Sequence, residues 1–548
     1  MTQKLKIHLA QINPTVGDLE GNCQKILQQF KMASEANCDL VVFSEMTICG
    51  YPCEDLWQKK YFILEIEKKI IEICEQTRSS NCAILLGSPT IDCPGEKPTK
   101  KETFRNSALF IENGEIKKII HKKTLPNCGV FDEARYFEPA SALSTIEFRG
   151  QTLAILICED LWSAKNLYLL SEQIFDAVIA INASPYTEKK HQYRQKTCEH
   201  FTQTLKKPLI YVNQVGGQDS LVFDGSSFVM NSSGKIILQM KEFEEDFAII
   251  EIEKGGPRHE DGVTIVTRST KACHPVFMTG SRNYSACILG LRDYIKKNNF
   301  EKVLLGMSGG VDSALVAAIA VDALGKENVE LYALPSRFNS EESMEDAQNC
   351  AKNLGVNLKI ISIEMVFEAM LFSLKNLSDL AKENLQSRIR GNMLMALSNT
   401  SGALLLSTGN KSELACGYAT IYGDMCGAFN PIKDLYKTQI YELAKLRSAV
   451  IPQNILTKAP SAELRENQKD SDSLPEYDLL DKILFALIEE QKSVAEISKN
   501  FDENLVKKVA KLFYGSEYKR RQAVIGPKIS DMSFDKDRRY PITNKFTF

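Results

Sequence analysis

The sequence contains no long run of apolar residues, and this absence excludes the simplest kind of membrane protein. A membrane-spanning helix needs about 20 consecutive apolar residues, and no stretch of the 548 residues reaches that length. The N-terminal segment MTQKLKIHLAQINP is charged and alternating, without the apolar core of a signal peptide. We therefore expect a protein of the cytoplasm that does not work in a membrane.

An excess of charge of either sign is also missing. The formal net charge is −3, and charged residues make up an ordinary 25% of the chain, so nucleic acid is not expected as the main partner. Local basic groups such as Lys519-Arg520-Arg521 are better candidates for binding an anionic small molecule. A chain of 548 residues is too long for one core, so two or more domains are expected.

The cysteines lack the spacing of a disulfide framework. All fifteen lie scattered along the chain, which predicts reduced thiols in the cytosol. Cys49 and Cys53 are close together, but no second pair or histidine cluster accompanies them, so no zinc site is expected. Most of the cysteines are expected to be inert packing.

The first half is dense in short β-rich segments with helical segments between some of them. Apolar residues at three- and four-residue spacing predict helices over 21–37 and 62–78, and Asn113-Gly114 predicts a hairpin. This pattern indicates a layered α/β sandwich. The predicted strands are KIHLAQI, DLVVFSE, CAILLGSP, RNSALFIE, EIKKII, TLAILIC, DAVIAINAS, PLIYVNQ and DFAIIEIE.

A polar, irregular stretch over about 254–284 interrupts this pattern and predicts a linker. Beyond it, the strands KVLLGMS, VELYALP and LKIISI alternate with helical segments. This βαβ order is typical of a parallel, doubly wound sheet. From about residue 478 the chain is predicted to be mainly helical.

The first strand of the second half runs into Ser308-Gly309-Gly310-Val311-Asp312-Ser313, where a helix is predicted to begin. Glycines allow a tight turn, and N–H groups at a helix N-terminus bind anions. The loop is not a Walker loop, because no G-K-S/T ends it. Gly409-Asn410-Lys411-Ser412 is a decoy, since the upstream glycine that a Walker loop requires is missing.

The S-G-G-x-D-S string resembles the pyrophosphatase loop of enzymes that split ATP between its α- and β-phosphates. The segments LLLSTGNKSELACGYATIYGD, DLYKTQIYELAK, KAPSAELRENQ and SEYKRRQ resemble, in this order, the nucleotide-site segments of the NAD synthetases. The resemblance implies a Rossmann-like adenine nucleotide alpha hydrolase domain. It also implies that the ATP-binding residues are Gly306, Met307, Ser308, Gly309, Gly310, Val311, Asp312, Ser313, Thr408, Lys437 and Ser461.

The same resemblance assigns the metal and the second substrate. Asp312 would carry Mg²⁺, and Glu413 would share the metal or contact deamido-NAD. Asn384 and Lys519 would hold deamido-NAD. Arg388 and Arg390 stay unassigned, because positions i and i+2 of a helix do not share a face.

Cys158 differs from the other cysteines in its surroundings. Glu45, Lys122 and Cys158 each come at or near a predicted strand end, and this order resembles the catalytic triad of the nitrilase superfamily. The strings VFDEARYF and CEDLW are similar to its glutaminase branch, which occurs fused to NAD synthetase. The resemblance implies a nitrilase-like αββα sandwich at residues 1–255, a linker at 256–283 and the NAD synthetase domain at 284–548.

These residue types suit amide hydrolysis. A free thiol has a pKa of about 8.5 and needs a base at neutral pH, which Glu45 can supply. Lys122 can stabilise a tetrahedral oxyanion. Because side chains alternate along a strand, only one of Lys122 and Lys123 can face the site, and the family's K-x-x-L-P spacing selects Lys122. Glu133 is either an auxiliary carboxylate or part of a surface ion pair.

For glutamine itself, INASPYTEKK resembles a family segment that places Ser184 and Lys190 near the substrate. Cys128 stands where the family usually has a tyrosine, so an aromatic hydroxyl contact to glutamine is missing there. The change affects the expected affinity and not the reaction.

The resemblance covers nearly the whole chain and implies one overall reaction. Glutamine gives ammonia, which a closed channel delivers to an adenylate of deamido-NAD, and the products are NAD, AMP, pyrophosphate and glutamate. Binding at the synthetase site is expected to raise glutaminase turnover, and a homo-oligomer is expected. The alternatives are an amidotransferase that makes GMP, asparagine or a modified tRNA, a silent metabolite-binding protein, and an amidase whose second half only senses nucleotide.

Overall fold

The computed structural model describes residues 4–92, 103–253, 263–269, 281–466 and 468–545. By internal contacts the chain forms two compact units. The first contains Met1–Gln218 and Val222–Phe277, and the second contains Asp219–Leu221 and Met278–Phe548. Among the described residues, none of the helices has both the length and the apolar content needed to cross a membrane.

The first unit is built mainly of strands. Its helices are α1 (Leu19–Glu35), α2 (Lys60–Thr77), α3 (Ala164–Ser171) and α4 (Lys190–Leu205). Its strands are β1 (Lys4–Gln11), β2 (Leu40–Val42), β3 (Ala83–Asp92), β4 (Thr103–Glu112), β5 (Glu115–His121), β6 (Ser144–Phe148), β7 (Gln151–Ile157), β8 (Ala177–Asn182), β9 (Leu209–Asn213), β10 (Val215–Gln218), β11 (Leu221–Asp224), β12 (Phe228–Met230), β13 (Ile236–Gln239), β14 (Asp246–Glu253) and β15 (Val263–Arg268).

Two sheets form the centre of this unit. One has the order β15-β14-β1-β2-β3-β4-β5 and the other β13-β12-β9-β8-β7-β6, while β10 and β11 pair separately. Buried aliphatic side chains from both sheets, such as Ile7, Leu85, Ile155 and Ile179, form one shared core. Helices α1 and α2 pack on the first sheet and α4 on the second. The predicted αββα sandwich is confirmed.

The hairpin between β4 and β5 turns at the predicted dipeptide. Asn113 and Gly114 have φ values of 54° and 74°, the left-handed region that tight two-residue hairpins require. The turn fixes the register of β5, which ends one residue before Lys122.

Part of the predicted linker is a strand, so the irregular linker predicted there is wrong. Residues Val263–Arg268 form β15, which pairs antiparallel with β14. The segment VTIVTR is rich in β-branched residues that fit a pleated surface, and β14 offers it a free edge. Residues 256–262 and 270–280 of the predicted linker lie outside the described residues.

The second unit is mainly helical around one small sheet. Its strands are β16 (Val303–Gly306), β17 (Val329–Ala333), β18 (Leu358–Ile360) and β19 (Leu404–Leu405). Its helices are α5 (Arg282–Lys297), α6 (Val311–Leu324), α7 (Glu341–Leu354), α8 (Glu364–Ser373), α9 (Asp379–Ser401), α10 (Lys411–Cys416), α11 (Lys437–Leu446), α12 (Gln453–Thr457), α13 (Tyr477–Ile488), α14 (Val494–Ile497), α15 (Glu503–Gly515) and α16 (Glu517–Arg520).

The sheet has the order β18-β17-β16-β19, and every pairing in it is parallel. Helices α8 and α9 pack on one face, and α6 packs against β16 and β17 with α5 beside it. The predicted doubly wound parallel sheet is confirmed. In such sheets, ligands bind outside the carboxyl ends of the strands, which is where the loop after β16 lies.

Two candidate active sites

The first site lies in the sandwich, where the ends of three strands meet. Glu45 follows β2, Lys122 follows β5 and Cys158 follows β7. Their exposed fractions are 0%, 1% and 3%, so all three polar side chains are withdrawn from water. The structure therefore places the three residues predicted from sequence in buried positions at strand ends.

Lys122 bridges two carboxylates. Its Nζ donates to Glu45 Oε1 at 2.7 Å and to Glu133 Oε1 at 2.8 Å. Burial by itself lowers the pKa of Lys122, but the charges of Glu133 and Glu45 outweigh burial and raise that pKa, so the lysine stays a cation. Lys123 Nζ instead donates to the carbonyl of Ser141, which leaves Lys122 as the lysine beside Glu45.

Glu45 is held at both of its oxygens. Asn106 Nδ2 donates to Oε1 at 2.7 Å, and the backbone N–H of Ala183 donates to Oε2 at 2.9 Å. Hydrogen bonds on both oxygens fix the orientation of the carboxylate. Asn106 carries no local signal in the sequence, because β4 brings it to Glu45 across 61 residues.

Glu133 is buried, so its interpretation as part of a surface ion pair is wrong. Tyr51 donates to Glu133 Oε1 at 2.8 Å, the same oxygen that binds Lys122. Burial raises the pKa of Glu133 to about 7, with a further rise from Glu45 and an opposing effect of Lys122. At neutral pH this carboxyl group is therefore divided between its charged and neutral forms.

Cys158 occupies a strained turn. Its φ is 47°, in the left-handed region that non-glycine residues rarely adopt and that often marks functional sites. It begins a short 3-10 helix, Cys158–Trp162, directly after β7. Burial and then the charge of Glu45 raise the pKa of Cys158 above its ordinary value, while Lys122 opposes them. The resting sulfur is therefore a thiol that needs a base.

Asp160 connects the two chain segments that carry Lys122 and Cys158, and sequence reasoning did not assign it. Its Oδ1 accepts from the backbone N–H groups of Lys123 and Thr124 at 3.0 and 2.7 Å, and its Oδ2 from that of Ile157 at 3.1 Å. The sequence signal for Asp160 is its position two residues after Cys158, in the first turn of the 3-10 helix.

The three predicted glutamine-binding residues differ in their exposure to solvent. Ser184 is buried, and Lys190 Nζ lies 4.1 Å from the ring centre of Trp162. Burial lowers the pKa of Lys190, and the neighbouring cation Arg194 adds to that change, while negative charge on Cys158, Glu159 or the exposed Cys128 would oppose it. Lys190 is thus partly buried over Trp162.

The second site is a cavity of about 910 Å³ within the second unit. It contains the complete set of residues predicted from sequence to face ATP, deamido-NAD or Mg²⁺. These lining residues are Gly306, Met307, Ser308, Gly309, Gly310, Val311, Asp312, Ser313, Asn384, Thr408, Glu413, Lys437, Ser461 and Lys519.

The loop at the start of this cavity requires a glycine. Gly309 has a φ of 82°, and a Cβ there would lie 2.1 Å from the carbonyl oxygen of Ser343. The loop leads into α6, which begins at Val311 and directs its free N–H groups and positive dipole end at the cavity, an arrangement suited to phosphate.

Asp312, Lys437 and Glu413 form a charged cluster in the cavity. Lys437 Nζ pairs with Asp312 Oδ2 and lies 3.2 Å from Glu413 Oε1. Burial raises the pKa of Glu413 to about 8, with Asp312 adding to the rise and Lys437 opposing it. Burial alone would lower the pKa of Lys437, but Asp312 and Glu413 outweigh it and raise that pKa. The lysine therefore remains charged.

Other lining residues are already oriented by local hydrogen bonds. Lys519 Nζ donates to the carbonyls of Gly417 and Ala419 at 2.7 and 2.8 Å. Asn384 Oδ1 accepts from Thr420 at 2.8 Å. Ser461 Oγ donates to a backbone carbonyl at 2.6 Å.

Several basic residues near the nucleotide-site segments contact other groups of the protein. Lys411, in the Walker-like decoy, is fully buried against Asp434 and Glu489, so it cannot reach a phosphate. Arg520 is buried and pairs with Glu517. Of the unassigned arginines, Arg390 lines the cavity, and Arg388 Nε donates to the carbonyl of Ile421.

A buried cysteine–lysine–glutamate site is suited to amide hydrolysis, and a Gly-Gly loop at a helix N-terminus is suited to binding phosphate. The two together are expected of an enzyme that uses amide nitrogen in a nucleotide-dependent reaction. The carbon–nitrogen hydrolase family matches residues 6–256, and the NAD synthase family matches residues 283–523. The glutamine-dependent NAD(+) synthetases of Acinetobacter baylyi and Thermotoga maritima are each 40% identical to this chain, with 99% of both chains covered in each comparison. This chain belongs to the glutamine-dependent NAD(+) synthetase family.

A solved structure supports the same assignment. The glutamine-dependent NAD+ synthetase from Acinetobacter baumannii, in complex with ADP, is 39% identical to this chain. The comparison covers 99% of each chain and has a TM-score of 0.76. The enzyme from Cytophaga hutchinsonii, at 21% identity and a TM-score of 0.80, shares the fold.

Proposed function

We propose that this protein amidates deamido-NAD to NAD, with ATP as co-substrate and ammonia released from L-glutamine. The most direct support is that one chain of this family contains both complete sets of site residues. Cys158, Lys122 and Glu45 are present in the first unit, and the loop before α6 shares a cavity with Lys437 in the second.

Glutamine hydrolysis begins at the Cys158 thiol. Because burial raises the pKa of Cys158, we infer that Glu45 removes the thiol proton as sulfur attacks the amide carbon. Lys122 stabilises the oxyanion of the tetrahedral intermediate. Glu45 then gives the proton to the leaving ammonia, and water, deprotonated by Glu45, hydrolyses the thioester to glutamate.

The second unit makes the nicotinate carboxylate reactive. The carboxylate attacks the α-phosphorus of ATP, and pyrophosphate leaves with the electron pair of the broken phosphoanhydride bond. The N–H groups of the Ser308–Ser313 loop and the ammonium of Lys437 hold the departing pyrophosphate. Ammonia from the first unit then attacks the acyl carbon of the adenylate and displaces AMP.

The side chains of Asp312 and Glu413 fit Mg²⁺. They are two hard oxygen donors that converge on the cation Lys437 Nζ, and Mg²⁺ is usually held by one or two carboxylates and substrate phosphates. Within the described part of the chain, no group of three or more His, Cys, Asp or Glu residues could hold a metal by itself, which is in accord with a metal that arrives with ATP. Mg²⁺ would neutralise charge on the leaving pyrophosphate.

The other assignments follow from the same proposal. Ser184, Lys190 and Cys128 border the glutamine site, and Asn384 and Lys519 hold deamido-NAD. We propose functional domains at 1–255 and 284–548, a cytoplasmic homo-oligomer, and direct transfer of ammonia, since an amine free in water at pH 7 is mostly protonated and not nucleophilic.

A substrate panel tests the proposal against its alternatives. The enzyme is incubated with ATP and amide-¹⁵N-glutamine plus deamido-NAD, xanthosine monophosphate, aspartate or tRNA. Mass spectrometry should find ¹⁵N in NAD alone. Label in another product identifies a different amidotransferase. Glutamate without a labelled product indicates an amidase, and no turnover with retained ATP binding indicates a silent protein.

A further inference from the structure

Helix α11 begins inside the proposed ATP site, and groups outside the helix satisfy its first N–H groups. Lys437, whose ammonium lies beside Asp312 and Glu413, is its first residue. The first N–H groups of a helix lack partners within it, and Tyr436, which precedes Lys437, is not one of the small polar residues that usually cap a helix. The N–H groups of Lys437 and Thr438 are instead bound by side chains of two other helices.

One carboxylate on helix α13 connects these helices. Asp481 Oδ2 accepts from the Thr438 N–H at 2.9 Å, and Asp481 Oδ1 accepts from the Ser412 hydroxyl. The Ser412 oxygen in turn accepts from the Lys437 N–H at 2.9 Å. Ser412 lies on α10, immediately before Glu413. Asp481 therefore ties the start of α11 to the helix that carries Glu413.

This connection is built in the interior of the second unit. Asp481 and Ser412 are 6% and 0% exposed, and neither of them lines the nucleotide cavity. A buried carboxylate is tolerated where hydrogen-bond donors satisfy it, and the positive end of the α11 dipole adds to the two hydrogen bonds here. Asp481 therefore does not face a substrate, and its effect on a reaction in the cavity must act through α10 and α11.

Tyr477 places a second constraint on the same ammonium group. Tyr477 lies four residues before Asp481 on α13, so the two side chains share a face of the helix. Lys437 Nζ lies 5.2 Å from the centre of the Tyr477 ring, within the range of a cation–π contact, and the Tyr477 hydroxyl donates to Asp470 Oδ2 at 2.9 Å. One face of α13 thus holds α11 by its backbone and Lys437 by its side chain.

We propose that Asp481 is a positioning residue for the synthetase reaction, which holds the Lys437 ammonium at its place beside Glu413, where it meets the phosphates of ATP. The proposal rests on the proposed function, since it requires that the second unit activates deamido-NAD with ATP. Lys437 Nζ lies 3.2 Å from Glu413 Oε1, and a displacement of about 1 Å in an active site can cost about 100-fold in rate. Asp481 thus supports kcat without contacting a substrate.

The test measures synthesis from ammonium salt by the full-length chain, with deamido-NAD and ATP. Asp481→Ala removes both acceptors, and we expect kcat to fall about 30- to 100-fold, with KM for ATP changed less than about threefold. Asp481→Asn should restore kcat to within about threefold of the wild type, because its Oδ1 can accept from Thr438 while its Nδ2 donates to Ser412 Oγ. Basal glutamine hydrolysis should be unchanged in both variants.

A double-mutant cycle with Lys437→Met separates positioning from general damage. If Asp481 acts through the lysine, Asp481→Ala should lower kcat less than about threefold once the lysine is gone, because the two effects are then not independent. Asp478→Ala makes the same chemical change at an exposed position of α13. It is the matched control and should behave as the wild type.

Far-UV circular dichroism verifies that the mainly helical second unit of each variant is folded. Ser412→Ala breaks the same connection at one point and supplies the same readout if Asp481→Ala is unfolded. Multiplication of the Asp481→Ala and Lys437→Met effects, or failure of Asp481→Asn to restore kcat, would overturn the positioning role. Absence of synthesis from ammonium salt in the wild type would instead reject the proposed function, which keeps the two failures distinguishable.

Discussion

Glu133 Oε1 lies 2.8 Å from Lys122 Nζ, so the lysine beside Cys158 is shared between two buried carboxylates. One ammonium cannot neutralise two carboxylates, and the excess charge is relieved when Glu133 binds a proton. The position of Lys122, and therefore of the oxyanion that it would stabilise, thus depends on Glu133. Among the described residues, no hydrogen bond joins Glu133 to the Cys158 sulfur.

The first prediction concerns Glu133→Gln. The amide keeps the size of the side chain and removes its charge, so Lys122 is drawn toward Glu45 alone. Because misplacement of a catalytic group by about 1 Å can cost about 100-fold, we expect kcat for glutamine hydrolysis to fall about 10- to 100-fold. Synthesis with ammonium salt should be unchanged. The exposed Glu138→Gln is the matched control, and equal loss with both nitrogen sources would contradict the prediction.

The second prediction is a pH dependence of stability. The pKa of Glu133 rises from 4.5 to about 7 on folding, so the folded state binds this proton more tightly. The contribution of the group to stability is complete below pH 4.5 and is lost as the pH rises through about 7. Glutamine imitates the protonated form, so the free energy of unfolding of Glu133→Gln relative to wild type should increase between pH 5 and 8.

Denaturant unfolding followed by tryptophan fluorescence checks this. Both tryptophans, Trp57 and Trp162, lie in the first unit, so the signal reports that unit alone and avoids mixing two transitions. Glu138→Gln should follow the wild type at every pH. A difference between Glu133→Gln and wild type that stays constant from pH 5 to 8 would show that Glu133 does not titrate in this range.

The third prediction separates the two chemistries with Cys158→Ala. Removal of a catalytic nucleophile typically costs more than about a thousandfold, so glutamine hydrolysis and glutamine-dependent synthesis should both be lost. Synthesis from concentrated ammonium salt at raised pH should survive. Cys74→Ala, at a half-buried thiol on α2, is the control. Loss of ammonium-dependent synthesis in Cys158→Ala would mean that the cysteine also serves the second unit.

Much of the fold is encoded in local patterns. The strand–loop–helix around Ser308–Ser313 and the Asn113-Gly114 hairpin were predictable, because turns and phosphate loops need particular residues at particular backbone angles. Strand β15 was not, because this short segment of six residues is paired with β14 alone, and such pairing depends on an edge elsewhere in the fold.

The candidate sites show the same division. Glu45, Lys122 and Cys158 each come at or just after a strand that the sequence predicts. The residues that orient these three side chains show no such local pattern in the sequence. Asn106 lies 61 residues from Glu45, and Asp160 lies 36 residues from Thr124, whose backbone N–H it accepts from beside Lys122. Contacts of this range are created by sheet order and packing, which single-sequence periodicity does not specify.

The fourth prediction concerns Lys437→Met. The methionine keeps most of the side-chain volume but leaves Asp312 and Glu413 without their shared cation, and it removes the charge proposed to hold pyrophosphate. We expect synthesis with glutamine and with ammonium salt to fall together, by about 100-fold or more, while basal glutamine hydrolysis continues. Lys445→Met, at an exposed position on the same helix, should retain activity. Loss confined to the glutamine-dependent reaction would contradict this role.

The fifth prediction concerns the metal. Two carboxylates cannot complete the octahedral shell that Mg²⁺ demands, so the ion should bind only together with ATP phosphates. A chelator should therefore stop synthesis from ammonium salt, and added Mg²⁺ should restore it, while basal glutamine hydrolysis measured without ATP should be unaffected. Asp312→Asn weakens one donor and should raise the Mg²⁺ concentration for half-maximal synthesis about tenfold. Synthesis that persists in excess chelator would exclude the metal from the reaction, and an unchanged Mg²⁺ requirement in Asp312→Asn would remove this carboxylate from its site.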